Sequence, residues 1–468
     1  MSYHKRMAEE HSGKTTLIDT HCHLDMPQFD DDREEVIARA RDAGFEALIT
    51  VGSDLAGSKK ALDLAARHDF IYAAVGVHPH DAKDFSDETC HDLAAWAKDP
   101  KVVAIGETGL DYHYDHSPRD VQREVFRKQL LIAKETGLPV IVHSREATDD
   151  TMAILAESGI SKGVLHCFSG DLKTAGRAIE RGLFISLAGP VTFRKSSLLR
   201  EVAKFVPDDY LLIETDAPYL TPEPRRGKRN EPVFLAETAR FVAGLREISF
   251  EDAARITTLN AKRLFGIGSI PDQAEITYQI RDSLYLNITN RCSNACSFCV
   301  KFRSDFVKGH RLKLSHEPTE EEIMREIGDP ARFREVVFCG YGEPLQRLEA
   351  VKHIARRVKD RGGRVRINTN GQANLIHNRD ILPELSGIVD RISVSLDAQD
   401  EETYDRICRP AYKNAYAGVL RFIAGAKEYI PDVQVTVVKM EGVDVEKCGR
   451  IAAELGVAFR IRTLDAVG

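Results

Sequence analysis

Leu17–Asp25 reads Leu-Ile-Asp-Thr-His-Cys-His-Leu-Asp. An apolar pair followed by alternation marks a buried parallel strand. On a strand, residues two apart share a face, so His21 and His23 point the same way. Two imidazoles at a strand's end make half a site for a divalent metal. Further ligand-type side chains follow later apolar runs: His78 and His80 in Gly-Val-His-Pro-His, Glu107 in Ile-Gly-Glu-Thr-Gly-Leu-Asp, and His143 in Val-Ile-Val-His-Ser-Arg. His166 sits in Val-Leu-His-Cys-Phe-Ser-Gly, and Asp216 in Leu-Ile-Glu-Thr-Asp-Ala-Pro-Tyr. A separate concentration of thiols, Cys292, Cys296 and Cys299, forms Cys-x₃-Cys-x₂-Cys in one short loop. Three thiolates so close can hold three irons of a [4Fe–4S] cluster and leave the fourth iron open. Zinc is the competing reading, but no fourth ligand is evident at fitting spacing, with His310 well outside it.

The elements that must position these residues alternate between apolar strand-like runs and amphipathic helices. In the first half the strands read as Leu17–Asp25, Ala47–Val51, Ile71–Gly76, Val102–Gly106, Val140–Val142, Gly163–Leu165, Leu183–Leu187 and Leu211–Ile213. Helices such as Arg33–Ala43, Gly57–Arg67, Asp120–Glu135 and Ser197–Phe205 lie between them. Such alternation means a parallel sheet, and about eight units in ~250 residues is the count of a closed (β/α)₈ TIM barrel. An open doubly wound sheet is the alternative, although no Gly-rich phosphate fingerprint follows the first strand. In a barrel all strand C-terminal ends open on one rim, so these distant residues converge there. Four histidines and two carboxylates suffice for two metals with one carboxylate bridging. Cys22 and Cys167 alternate away from the ligands and read as packing thiols.

Pro271 and a loss of helical periodicity place a linker at 269–280, after a polar tail at 1–15 and a first domain at 16–268. A second domain, 281–468, restarts the alternation, with strands at Ser283–Ile288, Val336–Cys339, Val365–Asn368, Ile392–Leu396, Gln434–Val438 and Phe459–Arg462. Helices are expected at Glu320–Ile327, Leu348–Asp360, Asn414–Ala426 and Val445–Leu455. Six units in this length make a partial (β/α)₆ barrel, so the whole chain is α/β. The sequence ends soon after the sixth strand, with no extension expected to cap that barrel.

The chain has 468 residues, 43% hydrophobic and 29% charged, as in an ordinary globular protein of several domains. Its formal charge of −7 gives no overall attraction to nucleic acid or anionic membranes. Binding of a polyanion must therefore use metals or a local patch such as Arg225-Arg226-Gly-Lys228-Arg229, after the eighth strand. No apolar run reaches the ~20 residues of a membrane span, and the opening residues lack the apolar core of a signal peptide. Nine cysteines, an odd number with three crowded together, argue for a reduced, cytoplasmic protein and against a disulfide framework.

The first half resembles the TatD family of metal-dependent hydrolases over almost all of Thr16–Gly268. The resemblance is carried by Ile-Asp-Thr-His-Cys-His-Leu-Asp, Gly-Val-His-Pro-His, Gly-Glu-Thr-Gly-Leu-Asp, Val-His-Ser-Arg, His-Cys-Phe-Ser-Gly and Glu-Thr-Asp-Ala-Pro-Tyr-Leu. It implies a (β/α)₈ barrel and divalent-metal-dependent 3′–5′ DNA exonuclease activity on a DNA or nucleotide substrate. His21, His23, Glu107 and Asp216 would hold one metal (Mg, Mn or Zn), and Glu107, His143 and His166 the other. Glu107 and Asp216 would serve catalysis, with Asp216 orienting the attacking water or accepting its proton. His78, Arg226 and Lys228 are candidate phosphate contacts. A metal-dependent amidohydrolase or esterase acting on a small molecule is the alternative activity.

The second half resembles the radical SAM superfamily over Leu284–Leu464. The thiol spacing carries that resemblance, with Phe298 before the third cysteine, Phe338-Cys-Gly-Tyr-Gly-Glu-Pro-Leu345, Asn368-Thr-Asn-Gly371 and Ser393-Val-Ser-Leu-Asp397. It implies a [4Fe–4S] cluster on Cys292, Cys296 and Cys299, and S-adenosylmethionine held through Gly340, Gly342, Glu343, Pro344 and Ser395. Arg406 or Arg409 would pair with the SAM carboxylate. An electron donor such as flavodoxin or ferredoxin would feed the cluster, and SAM cleavage would yield a 5′-deoxyadenosyl radical. A cluster that only senses redox state and gates the nuclease is a further reading. Cys339, Cys408 and Cys448 are scattered in sequence, so no second cluster is expected.

Overall fold

A computed structural model describes residues 16–463; the expected tail at 1–15 and the last five residues lie outside that range. The chain divides into two compact units between Ile270 and Pro271. In the first unit, eight strands run β1 (Ile18–Cys22), β2 (Ala47–Val51), β3 (Ile71–Val75), β4 (Val102–Asp111), β5 (Val140–Arg145), β6 (Gly163–Leu165), β7 (Leu183–Leu187) and β8 (Leu211–Ile213). They pair in sequence order, each parallel to the next. Closure is made just beyond β8. Asp216 N–H donates to His21 O at 2.8 Å and His23 N–H to Ala217 O at 2.7 Å, with Cys22 bridging Ala217. Asp19 adds a buried clasp, its carboxylate accepting from the Thr215 amide (2.9 Å) and hydroxyl (2.5 Å).

Alternation along each strand divides the apolar side chains into two sets. Leu48, Ile71, Val75, Val142, Ile185 and Ile213 pack with the surrounding helices. Ile18, Ile49, Ile141, Val164 and Leu212 form a separate core against Leu264, Phe265 and Ile267 at the end of the helix Phe250–Phe265. Such a filled interior leaves the strand ends as the place for polar chemistry.

β4 and β5 run further than expected. The sequence placed the β4 end at Gly106, yet pairing resumes after a shift between Ile105 and Thr108 and continues to Asp111 opposite Arg145. Gly109, with φ +144°, makes this possible: a Cβ there would sit 2.0 Å from the His143 carbonyl oxygen. The irregularity re-aims the strand at Glu107, as bulges do beside functional sites.

The second unit holds a sheet ordered β17-β16-β15-β14-β13-β10-β9. Its six parallel strands are β10 (Ser283–Leu286), β13 (Glu335–Phe338), β14 (Val365–Thr369), β15 (Arg391–Ser395), β16 (Asp432–Lys439) and β17 (Ala458–Thr463). A short hairpin, β11 (Phe306–Val307) and β12 (His310–Arg311), stands apart. The segment 269–280 corrects the sequence reading, since its end is not linker. Thr277–Ile280 forms β9, antiparallel to β10 at the sheet's edge. Leu284, Phe338, Ile367, Ile392 and Val435 pack with Ile354, Val419 and Phe422 of the covering helices.

Candidate metal centre and cysteine loop

Glu107 is the hub of the first unit's strand-end site. Its Oε1 lies 2.7 Å from His166 Nε2, 2.8 Å from His143 Nδ1 and 3.4 Å from His78 Nε2. Its Oε2 lies 3.5 Å from His21 Nε2 and 3.8 Å from His23 Nε2. Asp216 Oδ1 approaches His23 at 3.4 Å and His21 at 3.8 Å. All six expected ligands therefore meet, and His78, expected at the phosphate, stands against Glu107 as well.

Metal-sized groupings of donor atoms comprise His21–His23–Glu107, His78–Glu107–His143 and His21–His166–Glu214. Two contacts test whether cations fit. His21 Nε2 faces His23 Nε2 at 3.2 Å, and His143 Nδ1 faces His166 Nε2 at 3.3 Å. Facing imidazole nitrogens beside carboxylates are what a divalent cation resolves, because it accepts lone pairs from all of them.

Without a cation, protons supply the countercharge. Burial alone would raise Glu107, but His166, His78 and His143 outweigh it and hold the carboxyl well below its usual range. Burial would lower His23, but Asp216 and Glu107 push it up to about 9. His166 is likewise held well above its usual value against burial, by Glu107 and Glu214. His21 goes the other way, lowered by burial and by the charge of His166.

Two carboxylates here escaped the sequence reading. Asp111 Oδ2 lies 3.1 Å from His143 Nε2 and 3.0 Å from His80 Nε2, so it fixes the His143 ring with Nδ1 toward Glu107. Glu214, fully buried, accepts from Ser186 Oγ and the Cys167 amide, and lies 3.3 Å from His166 Nδ1. Both stand an even number of residues from an expected ligand, Glu107 to Asp111 and Glu214 to Asp216, and that spacing was the available signal. The basic run is divided. Arg229 pairs with Asp32 and Arg225 with Glu237, while Lys228 is exposed and exposed Arg226 lies 3.8 Å over the Phe193 ring.

In the second unit the cysteine loop hangs between two supports. Ala295 N–H donates to Cys408 O (3.0 Å) and Ser297 N–H to Ile407 O (2.9 Å), at the end of the helix Glu401–Cys408. On the other side, Gly342 lies so close that a Cβ would meet Arg291 O at 2.4 Å and Thr289 O at 2.6 Å. The Cys292 thiol, pushed up to about 12 by burial and by Glu343, faces the Asn294 amide at 3.4 Å and Asn370 Nδ2 at 3.8 Å. N–H groups aimed at a sulfur suit a thiolate that ligates iron. Cys408, scattered in sequence, is close enough to Cys296 for the two thiols to hydrogen-bond.

Glu343, expected at SAM, is anchored within the fold. Its carboxylate is buried and accepts from Thr369 Oγ1 (2.8 Å) and the Asn370 (2.7 Å) and Leu345 (3.1 Å) amides. The side chain thus ties its turn to the end of β14. Gly340 and Gly342 leave bare backbone there, Pro344 opens the next turn, and Ser395 closes β15 within 3.4 Å of Arg462 Nη2. Arg406 and Arg409 are both exposed.

Barrel and site together define a metal-dependent hydrolase. The model of the family described as TatD related DNase matches residues 18–266, and the chain belongs to that family. The Radical SAM superfamily model matches residues 286–455, so a radical SAM domain follows the hydrolase. The "Uncharacterized metal-dependent hydrolase YabD" of Bacillus subtilis is 49% identical over 257 residues, covering 54% of this chain and 99% of its own length. The "3'-5' ssDNA/RNA exonuclease TatD" of Erwinia tasmaniensis is 39% identical, covering 54% of this chain and all of its own. Among solved structures, YJJV, a TatD homolog from Escherichia coli, is 34% identical with a TM-score of 0.52 over 54% of this chain and 98% of its own. Among the described residues, no helix is long and apolar enough to cross a membrane.

Proposed function

We propose that the first unit is a two-metal phosphodiesterase that removes nucleotides from the 3′ end of single-stranded nucleic acid. We propose further that the second unit cleaves S-adenosylmethionine with a [4Fe–4S] cluster. The observation that carries the first reading is the convergence of His21, His23, His78, His143 and His166 on Glu107. His21, His23, Glu107 and Asp216 would hold one metal, and Glu107, His143 and His166 the other. When bound, such ions supply Lewis acidity that polarises the phosphodiester and acidifies the attacking water. Asp216, last at the closing seam, takes that water's proton, while Asp111 keeps His143 oriented. Arg226 and Lys228 meet phosphates further along the strand. The relative named as a single-strand exonuclease supports this substrate class.

For the second unit, Cys292, Cys296 and Cys299 would hold the cluster. Gly340, Gly342, Glu343 and Pro344 would receive SAM, with Ser395 near its ribose. Held by these residues, such a cluster would supply the electron that opens a carbon–sulfur bond of SAM, on receiving it from a donor such as flavodoxin or ferredoxin.

The test is hydrolysis of 3′-labelled single-stranded DNA by anaerobically purified protein, with and without Mg²⁺ or Mn²⁺. Metal-dependent loss of terminal nucleotides is expected, reduced at least ~100-fold in a His21→Ala/Glu107→Ala variant. Hydrolysis of amide or ester substrates with none of the oligonucleotide would overturn it.

A further inference from the structure

Beside the metal centre, the loop that follows β4 carries Tyr112-His-Tyr-Asp-His116. Tyr114 is 50% exposed although its backbone is fixed. Its amide and that of His113 donate to Asp111 Oδ1 at 2.9 and 3.0 Å. The other oxygen of Asp111 holds His143 and His80. One buried carboxylate therefore fixes both a candidate ligand and the loop that displays Tyr114. Ser117, buried, locks the far end through the His80 carbonyl at 2.7 Å.

The rings form an unbroken path outward. His143 meets His78 at 4.5 Å between centroids, His78 meets His80 at 4.3 Å, and His80 meets Tyr114 at 5.4 Å and His116 at 4.6 Å. Tyr114 and His116 lie nearly parallel, 5° apart with centroids at 5.5 Å. The Arg145 guanidinium, at the end of β5, sits 4.7 Å from the Tyr114 ring centre. Arg145 and His116 are exposed too, so the planar groups that touch the tyrosine also reach solvent.

A preorganised planar stack with a cation in it is how proteins hold unpaired bases, because every base has a π-face and its phosphate carries charge. We propose that Tyr114, His116 and Arg145 form a nucleobase-stacking subsite, which holds the base next to the scissile bond of a single-stranded substrate. This deepens the phosphodiesterase reading and rests on it. In a duplex that base is stacked within its own helix, so the subsite selects unpaired 3′ ends. Arg145, in contact with the tyrosine ring, serves as a partner for the phosphate of that base.

The test is fluorescence anisotropy of a 5′-fluorescein-labelled oligothymidylate on the full chain, with EDTA present so that nothing is cleaved. Tyr114→Ala is expected to weaken binding about tenfold, from the ~1–3 kcal/mol of a base–aromatic stack. Tyr114→Trp retains it. An abasic nucleotide next to the 3′ terminus weakens wild-type binding by a similar factor, and the two losses do not add. With metal restored, Tyr114→Ala raises KM for the oligonucleotide with little change in kcat. Losses that add, or no loss on Tyr114→Ala, would overturn the subsite, whatever the hydrolysis assay gives. A stacking loss without any phosphodiester cleavage would keep the subsite and overturn the proposed hydrolysis instead.

Discussion

Histidine 23 carries a proton in the metal-free site because Asp216 and Glu107 outweigh its burial and push it up to about 9. A metal needs the neutral ring, so binding must expel that proton. Apparent metal affinity therefore rises with pH, by up to about tenfold per unit for each proton lost, and levels off above about pH 9. The metal-free fold behaves oppositely. The stabilisation from a raised histidine is complete below its usual 6.5 and lost as pH climbs through about 9. Calorimetric titration of Mn²⁺ at pH 7 in buffers of different ionisation heat is expected to show at least one proton released per protein; none would contradict the site as drawn. Among the expected ligands, His143 and His166 were legible because each ends an apolar run, where a lone polar residue stands out, and His21 and His23 because they alternate on one strand. Asp111 and Glu214 were not, since a carboxylate whose partners are histidines, a serine and backbone amides leaves no motif of its own. Only the fold shows what either one faces.

At the scale of elements, glycines decide where backbones can meet. Gly342 packs on the carbonyls of Thr289 and Arg291 and so presses the SAM-motif turn against the cysteine loop. Gly342→Ala must push these backbones apart, at a cost of about 1–3 kcal/mol. Iron and sulfide content after anaerobic reconstitution is expected to fall to less than about half that of the wild type; full occupancy would show that the loop adapts. Strand positions were read well where apolar runs are short and bounded, as at β2, β6 and β8. β4 was read short because its second half, Glu107–Asp111, contains glycine and polar residues that resemble a turn. Those residues are buried by their neighbours around the barrel, which no local pattern reveals. β9 was missed for a related reason, since Thr277–Ile280 is strand only because β10 returns beside it.

At the scale of the molecule, each unit has its own apolar cores. The chain's single tryptophan, Trp96, belongs to the first unit, while Cys292, Cys296 and Cys299 belong to the second. Denaturant titration is therefore expected to give a Trp96 transition separate from the loss of cluster absorbance. Chelating the divalent metals should lower the Trp96 midpoint alone. At a metal concentration of about 100 times Kd the bound ion contributes about 2.7 kcal/mol, which chelation removes. Coincident transitions that shift together would refute two independent cores.

The seam between β1 and the segment after β8 joins residues near opposite ends of the first unit, with His21 and His23 on one side and Asp216 on the other. On the ribosome these two sides do not exist at the same time. At roughly 5–20 residues per second, β1 waits on the order of 10–40 s for its partner to be made. Until then its free edge can pair with other chains, and His21 and His23 stand without Asp216. Hydrolytic competence in this protein is thus an event late in the synthesis of its first unit, and a nascent chain arrested before Asp216 would have nothing with which to close the ring.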